Sequence, residues 1–309
     1  MTESAAGRTV VAVMGPTASG KTALAVSLAP VMSGSLINAD SRQAIAELSA
    51  GVCKPSPTEL RGVSCVGLDW SRLGEGFTAR EFVERARAAM ASLWADGVTP
   101  ILVGGSGLYL RSLLEGFDFG GAPMDGRPNQ GRLVQRVDRE AALAELERLS
   151  PSHARTIDRQ NPRRVLRALE LERAGLQPAQ REQAWEALRI GLSVPGPILR
   201  QRIERRARRI LDPGILDEVR GLLAQGFSPA TISGCAIGYR EALELLDGRL
   251  TREGALESLI RRTWRYARAQ MTWLRREPNL IWIDGTADPD HILAASVALV
   301  RRQAKEEFV

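Results

Sequence analysis

One eight-residue segment limits the possible folds of this chain more than any other feature. Residues 15–22 read GPTASGKT and fit the pattern G-x-x-x-x-G-K-[ST]. They follow an apolar, β-branched run (residues 9–14) and precede a helix-forming segment (residues 23–30). A glycine-rich loop between a strand and a helix lets backbone N–H groups surround an anion at the helix N-terminus. The pattern therefore predicts a phosphate loop at residues 15–22, and it leaves the reaction open.

Two side chains of the phosphate loop have predicted roles of their own. The Lys21 ammonium group would neutralise phosphate oxygens, and the Thr22 hydroxyl would hold Mg²⁺. Lysine is rare in this chain, with 3 lysines among 42 basic residues, so its position here indicates a chemical requirement. The predicted diphosphate- or nucleotide-binding residues are Gly15, Pro16, Thr17, Ala18, Ser19, Gly20, Lys21 and Thr22.

Short apolar runs alternate with helical patterns in the first part of the chain. Residues 35–39 and 99–103 predict buried strands, and residues 78–97 predict a helix that begins at a capping box. Strands that alternate with helices form a parallel sheet with helices on both faces. We therefore expect an α/β fold.

Polar residues follow two of these predicted strands. Asp40 and Ser41 end the second strand, and residues 104–109 (GGSGLY), which include Ser106, end the third. Such folds bind ligands at the carboxyl edge of the sheet. Asp40 could hold Mg²⁺, act as a general base or cap a turn. Ser106 could donate to a ligand or form a strand-to-helix turn.

The positive charge of the chain is unevenly distributed. The net charge is +6, from 42 basic and 36 acidic residues. Residues 1–116 carry 10 of each sign, residues 117–279 carry 29 basic and 21 acidic residues (+8), and the last thirty carry 3 and 5 (−2). This asymmetry indicates either a polyanionic partner or a solvated basic face.

The basic region also differs from the first region in its sequence pattern. Residues 117–131 are rich in Gly and Pro, and a helical, arginine-rich pattern follows them. We expect a first core part (1–116), a helical insertion (117–195) and a helical segment (196–309). The last segment would return to the core with a late strand and a C-terminal helix.

Two helical segments combine arginines with apolar or aromatic residues. Arginines stand at positions 200, 202, 205, 206, 208 and 209, and we expect one or two of them to reach the site. Trp264, Tyr266 and Trp273 lie among the arginines of residues 261–276. These aromatic rings could stack on unpaired bases or pack in the core.

The sequence disfavours several other classes of protein. Its 3 cysteines and 2 histidines form neither a disulfide framework nor a zinc spacing. No apolar run approaches the ~18–20 residues of a membrane span, and the first seven residues lack a signal-peptide core. We expect a cytoplasmic protein with no membrane contact.

Taken together, these segments resemble the tRNA dimethylallyltransferases, also called tRNA isopentenyltransferases. The resemblance covers nearly the whole chain in the family's order. Its matching segments are 15–22, Asp40-Ser41 with Gln43, 54–56 (KPS), 104–109, 161–175 (NPRRVLRALELERAG), 199–211 (LRQRIERRARRIL), 236–241 (AIGYRE) and 270–276 (QMTWLRR).

The resemblance implies a P-loop NTPase-like parallel sheet with a mostly helical, arginine-rich insertion domain. It implies transfer of a dimethylallyl group from its diphosphate to N6 of the adenosine 3′-adjacent to the anticodon in tRNA. Asp40 would accept the amine proton, and Ser106 would lie near the bridging oxygen. Arg206 would bind the diphosphate together with the phosphate loop and Mg²⁺.

The resemblance also implies a tRNA-binding surface and a channel that receives the extruded base. We expect a monomer, because one tRNA would cover most of the basic surface. The residues expected to contact tRNA are Asp40, Ser41, Arg42, Gln43, Arg127, Arg163, Arg164 and Arg167.

The chain departs from the family pattern in three places. Residues 42–55 differ from M-Q-V-Y-[KR]-G-M-D-I-G-T-A-K-P, and residues 64–69 lack the histidines of H-H-x-x-D. Residues 263–270 differ from T-R-Q-Y-A-K-R-Q. These changes leave the phosphate loop intact and bear on tRNA recognition and turnover.

Three other functions remain open at this point. An adenylate isopentenyltransferase would prenylate AMP, ADP or ATP, although a free nucleotide needs no strongly basic region. A P-loop kinase would phosphorylate a small acceptor, although beyond Asp40 and Asp69 no apolar strand ends in aspartate. A catalytically impaired tRNA-binding descendant would fit the altered residues 42–69, although the chain retains Asp40 and Lys21.

Overall fold

The computed structural model of the protein describes residues 8–118, 138–176, 179–180 and 185–306. Its strands are β1 (Thr9–Met14), β2 (Gly34–Asn38), β3 (Cys65–Val66), β4 (Thr99–Gly104), β5 (Phe117–Asp118), β6 (Ala179–Gln180), β7 (Glu186–Ser193) and β8 (Leu280–Asp284). Its helices are α1 (Lys21–Val31), α2 (Pro57–Leu60), α3 (Ala79–Ala95), α4 (Gly107–Leu114), α5 (Arg139–Leu149), α6 (Pro151–Thr156), α7 (Pro162–Arg173), α8 (Gly196–Ile210), α9 (Pro213–Ala224), α10 (Pro229–Cys235), α11 (Tyr239–Leu246), α12 (Arg252–Leu274) and α13 (Pro289–Glu306).

Within the described residues, six strands form one sheet in the order β3-β2-β4-β1-β7-β8. Every neighbouring pair in this sheet is parallel. Strands β1, β2 and β4 are almost fully buried, as expected for strands covered by helices on both faces. The predicted α/β fold with a parallel sheet is confirmed.

Helix α3 begins where the sequence predicts. Glu81 N donates to Thr78 Oγ1 at 3.2 Å, and Thr78 N donates to the Glu81 carboxylate at 2.8 Å. This capping box satisfies N–H groups that a helix start leaves without partners. The Phe82 ring of α3 stacks on Tyr109 of α4, with 4.7 Å between the ring centroids. The predicted late strand and closing helix are also present, as β8 and α13.

Strand β7 was not predicted from the sequence, and it lies inside the segment expected to be a helical insertion. β7 pairs with β1 on one side and β8 on the other. Its Arg189 obscures the strand pattern, since a charged residue is unusual inside a sheet. The Arg189 side chain is 10% exposed and donates to the fully buried carboxylate of Glu277 at 2.7 Å. The pairing explains how the strand tolerates this residue.

A helical core lies in the segment that follows β7. Helices α8 to α12 contribute buried apolar side chains, among them Ile210, Ile215, Ile232, Tyr239 and Leu259. Helix α12 packs along α8 and α11 and ends close to α4. This arrangement brings the ends of α8 and α12 towards residues that follow the sheet strands.

The described residues form two compact units. One unit holds the six-stranded sheet and consists of residues from 8–73, 77–114 and 185–306. The other consists of residues from 74–76 and 115–180, with α5, α6, α7 and an antiparallel β5–β6 pair. Leu146 and Val165 are fully buried in its core. In the described part of the chain, no helix has the length and apolar character needed to cross a membrane.

Candidate active site

The phosphate loop connects the carboxyl end of β1 to the first turn of α1, as predicted. Ser19 N donates to Pro16 O at 3.2 Å, and Gly20, the N-cap of α1, has a φ of 97°. Ala18 also has a positive φ, 65°. A Cβ on Gly15 would lie 2.5 Å from Ser19 Oγ, so a larger residue here would force the Ser19 side chain to move. The loop therefore curls tightly before a helix N-terminus, a geometry that binds anions.

Lys21 supplies the positive charge of the phosphate loop. Its ammonium group donates to Pro16 O at 3.3 Å, so the side chain folds back over the loop. Burial lowers the pKa of Lys21 to about 8, while the charge on Asp40 raises it and the charge on Arg206 lowers it. A bound anion would favour the charged amine, so the position suits a strongly anionic ligand.

Two hydroxyl groups of the phosphate loop suit a ligand rich in oxygen atoms. Ser19 Oγ is buried and has no hydrogen-bond partner among the described residues. The same residues contain no group of three His, Cys, Asp or Glu side chains that could hold a metal ion. Mg²⁺ takes few protein ligands and binds readily to phosphate oxygens and water. The Thr22 hydroxyl, together with a diphosphate, therefore fits this ion.

Asp40 lies two residues beyond the end of β2 and has a fixed backbone. Its Oδ1 accepts from Arg42 N at 2.9 Å and from Gln43 N at 3.4 Å. The Asn38 side chain accepts from Asp40 N and donates to Asp40 O, both at 3.2 Å. Asp40 thus caps the turn that follows it and also lines a cavity at the carboxyl edge of the sheet. The interpretation of Asp40 as a turn cap is therefore confirmed, and its role as a general base or Mg²⁺ ligand stays a prediction.

A cavity at the carboxyl edge of the sheet brings several of the predicted residues together. Its charged side chains in the described structure are Lys21, Asp40 and Arg206. Two positive charges beside a carboxylate suit an anionic ligand that reacts next to a proton acceptor. The cavity is lined by Thr17, Lys21, Thr22, Leu36, Asn38, Asp40, Gln43, Cys53, Pro55, Cys65, Leu68, Val103, Gly104 and Arg206.

Arg206 reaches this cavity from α8, whose buried face includes Ile203 and Ala207. Its guanidinium donates to Val52 O at 3.2 Å. The Gln43 side-chain amide donates to the same carbonyl at 3.3 Å. Arg206 and Gln43 are thereby held by one backbone carbonyl, which lies next to Cys53 of the cavity lining.

Ser106 binds the backbone that follows Asp40. Its Oγ accepts from Ser41 N at 3.0 Å and donates to Ser41 Oγ at 3.4 Å. Ser106 N also donates to Ala39 O at 3.3 Å. In this arrangement Ser106 holds the end of β2, and its role at the bridging oxygen of a substrate stays a prediction.

Two of the three aromatic residues of α12 pack against other residues, and stacking of Tyr266 on bases stays a prediction. A Cβ on Gly107 would lie 2.6 Å from the Trp273 ring, so that tryptophan packs tightly on the first residue of α4. Trp264 packs against a buried cluster that includes Leu199. Tyr266 is 38% exposed. Partial burial raises the pKa of Tyr266 to about 12, and the nearby charge on Asp40 adds to the rise.

The predicted tRNA-contacting residues differ in their surroundings. Arg42 is exposed in the turn that Asp40 caps. On α7, Arg163 is exposed, Arg164 lies 3.9 Å from Asp158, and Arg167 bonds to the nearby Glu170 at 3.2 Å. Arg127 lies outside the described residues.

Three residues hold the site through long-range contacts, and sequence reasoning missed two of them, since Arg202 is among the arginines of which one or two were expected to reach the site. Each bonds a backbone group on a loop that is distant along the chain, so no local spacing reveals it. The available indication was the place of Gln270 in the family resemblance. The three are Gln270, Arg202 and Glu218, which bond Thr17 N, Ser19 O and Ala50 N at 2.8, 3.3 and 2.6 Å respectively.

Comparison with known proteins identifies the family. The model of the IPP transferase family matches residues 43–277. The chain belongs to this family. The matched range includes residues 43–55, 64–69 and 263–270, where the chain departs from the family pattern. IPP transferases are prenyltransferases, and this chain is an enzyme of that class.

Curated relatives of this IPP transferase, and solved structures of similar proteins, agree with the assignment. The tRNA dimethylallyltransferase of Corynebacterium jeikeium is 36% identical over 296 residues, covering 94% of this chain and 95% of the relative. The tRNA dimethylallyltransferase 1 of Pelobacter propionicus is 37% identical over 290 residues, covering 89% and 92%. The full-length tRNA isopentenylpyrophosphate transferase of Bacillus halodurans has a TM-score of 0.72 at 31% identity, covering 98% and 100%.

A eukaryotic dimethylallyltransferase acting on tRNA shares the fold. Its TM-score is 0.76 at 23% identity, with 91% of this chain and 74% of that chain covered.

Proposed function

We propose that this IPP transferase moves a dimethylallyl group from dimethylallyl diphosphate to N6 of the adenosine 3′-adjacent to the anticodon in tRNA. The observation that carries the proposal is one cavity lined by Lys21, Thr22, Asp40 and Arg206. The names of the curated relatives support tRNA as the acceptor.

The proposed reaction forms a carbon–nitrogen bond and releases diphosphate. The adenosine amine attacks the allylic carbon, the carbon–oxygen bond breaks, and its electron pair leaves with the diphosphate. The amine proton passes to the Asp40 carboxylate. A positioned general base contributes about 10²–10⁴-fold to such a step.

The phosphate loop and two cations would stabilise the leaving group. Negative charge grows on the diphosphate as the carbon–oxygen bond breaks. Lys21, Arg206 and the N–H groups at the start of α1 are positioned beforehand, so they need no reorganisation during the reaction. Mg²⁺, when bound, would neutralise diphosphate oxygens, and Thr22 is the residue that would hold it.

The tRNA would be held by exposed and partly exposed arginines. Arg42 lies two residues after the proposed base, and Arg163, Arg164 and Arg167 are successive basic residues of α7. Such side chains contact phosphates and position an RNA without reading its sequence. We expect a monomeric enzyme, because one tRNA would cover most of this basic surface.

A transfer assay tests the proposed acceptor. Radiolabelled dimethylallyl diphosphate and Mg²⁺ would be supplied with either unmodified tRNA or AMP, and the modified nucleoside located by nuclease digestion and mass spectrometry. We expect label at the adenosine beside the anticodon. Label in AMP alone would assign the enzyme to adenylate prenylation. Salt-dependent tRNA binding without any label would indicate a protein that has lost its chemistry.

The assay needs an isosteric variant of the proposed base. Asp40→Asn keeps an oxygen that accepts from Arg42 N but cannot take up the amine proton, so transfer should fall by about 10²–10⁴-fold. Asp288→Asn is the matched control, because Asp288 Oδ1 likewise accepts from the N–H two residues on, at 2.9 Å. This control should transfer at the wild-type rate.

A further inference from the structure

Gln270 joins the two loops that the proposed reaction uses. It lies on α12, and its side chain is buried, with 3% of the residue exposed. Its Oε1 accepts from Thr17 N in the phosphate loop at 2.8 Å. Its Nε2 donates to Gly105 O, in the turn after β4, at 2.9 Å. One amide group therefore spans two loops at the carboxyl edge of the sheet.

The fit of Gln270 against these loops leaves little free space. A Cβ on Gly105 would lie 2.3 Å from Gln270 Nε2 and 3.4 Å from Gly15 O. Trp273, one turn further along α12, packs on Gly107 in the same turn. The end of α12 thus lies against the phosphate loop and the 104–107 turn with glycines at the points of closest approach.

The two hydrogen bonds of Gln270 fix groups on both sides of the proposed reaction. The bond from Thr17 N lies inside the curl that Ser19 N closes on Pro16 O. The bond to Gly105 O lies next to Ser106, whose Oγ holds Ser41 N beside the proposed base. The cradle for the leaving group and the turn that carries the base are therefore connected through one side chain.

We propose that Gln270 is a positioning residue for prenyl transfer. It sets the separation between the phosphate loop and the Ser106 turn, and so aligns the diphosphate with Asp40. Gln270 itself bonds backbone groups of the protein and not the substrate. The inference rests on the proposed diphosphate site. A displacement of about 1 Å in such an alignment lowers rates on the order of 10²-fold.

Gln270→Met tests this role, since methionine has a similar length and no hydrogen-bonding amide. The matched control is Ser258→Ala on the same helix, which removes the 2.9 Å bond from Ser258 to Glu241, a contact with α11. Three quantities would be measured: binding of magnesium pyrophosphate by calorimetry, kcat with the KM of each substrate, and hydrogen exchange of residues 15–22. If the Gln270→Met protein unfolds, Gln270→Asn is used in its place, because asparagine keeps the amide on a side chain too short to reach both loops.

We expect the Gln270 variant to bind pyrophosphate at least tenfold more weakly, to exchange faster at residues 15–22, and to keep the wild-type KM for tRNA. Ser258→Ala should resemble the wild type in all three measurements. A folded Gln270 variant with wild-type pyrophosphate binding and wild-type kcat would overturn the positioning role while leaving the diphosphate site standing. A wild-type enzyme that binds no pyrophosphate would instead refute the diphosphate site, and this role with it.

Discussion

The sheet-edge cavity and helix α7 both carry basic side chains, but they hold them in different ways. In the cavity, Lys21 donates to Pro16 O at 3.3 Å and Arg206 donates to Val52 O at 3.2 Å. Both carbonyls accept a second hydrogen bond, Pro16 O from Ser19 N and Val52 O from the Gln43 side chain. On α7, Arg164 lies 3.9 Å from Asp158, and the two side chains are 65% and 46% exposed. Exposed pairs of this kind add little stability and are readily exchanged.

This difference matches two different tasks for positive charge. A group that stabilises a leaving anion must occupy its position before the reaction begins. A group that binds the phosphates of a polyanion must be accessible, and each contact adds a modest, salt-dependent amount. The comparison therefore predicts large effects from single substitutions at the cavity and small, additive effects on α7.

The largest effect of removing one of these cations is expected at Lys21. Lys21→Met keeps the length of the side chain and removes its charge from the leaving group. We expect kcat/KM for dimethylallyl diphosphate to fall by about 10²–10³-fold, the usual cost of losing one preorganised stabilising donor. Steady-state kinetics with tRNA at saturation measures this. If kcat/KM falls by less than fivefold, Lys21 contributes no more than a surface arginine, and the difference between the cavity and α7 is contradicted.

A smaller loss is expected at Arg206. Arg206→Gln removes one charge-assisted contact with the leaving group, so kcat/KM should fall about 10- to 100-fold. Arg208→Gln is the matched control on the same helix, because Arg208 is exposed and pairs with Glu204 at 2.7 Å. Equal rates for the two variants would contradict the place given to Arg206.

The pH dependence sharpens the comparison, because Lys21 titrates near neutrality while arginines do not. Burial lowers the pKa of Lys21 to about 8, so its charge is present below this pH and lost above it. Pyrophosphate binding should therefore weaken as the pH rises above 8, by up to about tenfold per unit. Lys21→Arg stays charged and should show only the titration of the ligand itself. Identical pH profiles of pyrophosphate binding for the wild type and Lys21→Arg would contradict the assignment of this titration to Lys21.

The smallest effects are expected on α7. Arg163→Ala should weaken tRNA binding about twofold and leave kcat unchanged. It should also make the slope of log K against log salt less steep by about 0.7–0.9. Filter binding between low and moderate salt measures both quantities. A loss of more than tenfold from this single change would show that α7 holds a fixed contact like those of the cavity.

Sequence patterns alone were informative where function depends on consecutive residues. The phosphate loop, Asp40 at a strand end and the capping box of α3 follow from local rules, and the structure has the loop and the cap where they were expected. Strand β7 was not predicted, because its buried Arg189 is paired with Glu277, which lies far along the chain.

The roles of Gln270 and Glu218 were not predicted, for the same reason. Each acts through a backbone group that only the folded chain brings near. Arg206 was identified through the family resemblance, since nothing in its own helix distinguishes it from five neighbouring arginines before folding.

The account's central claim is that one cavity binds the diphosphate and also holds the proton acceptor. The most direct test compares magnesium pyrophosphate affinity with single-turnover transfer to tRNA in Asp40→Asn. The account predicts affinity equal to or tighter than wild type, because a negative charge beside the anion is removed, together with transfer slower by at least about 10²-fold. Transfer at the wild-type rate, or loss of pyrophosphate binding, would contradict it.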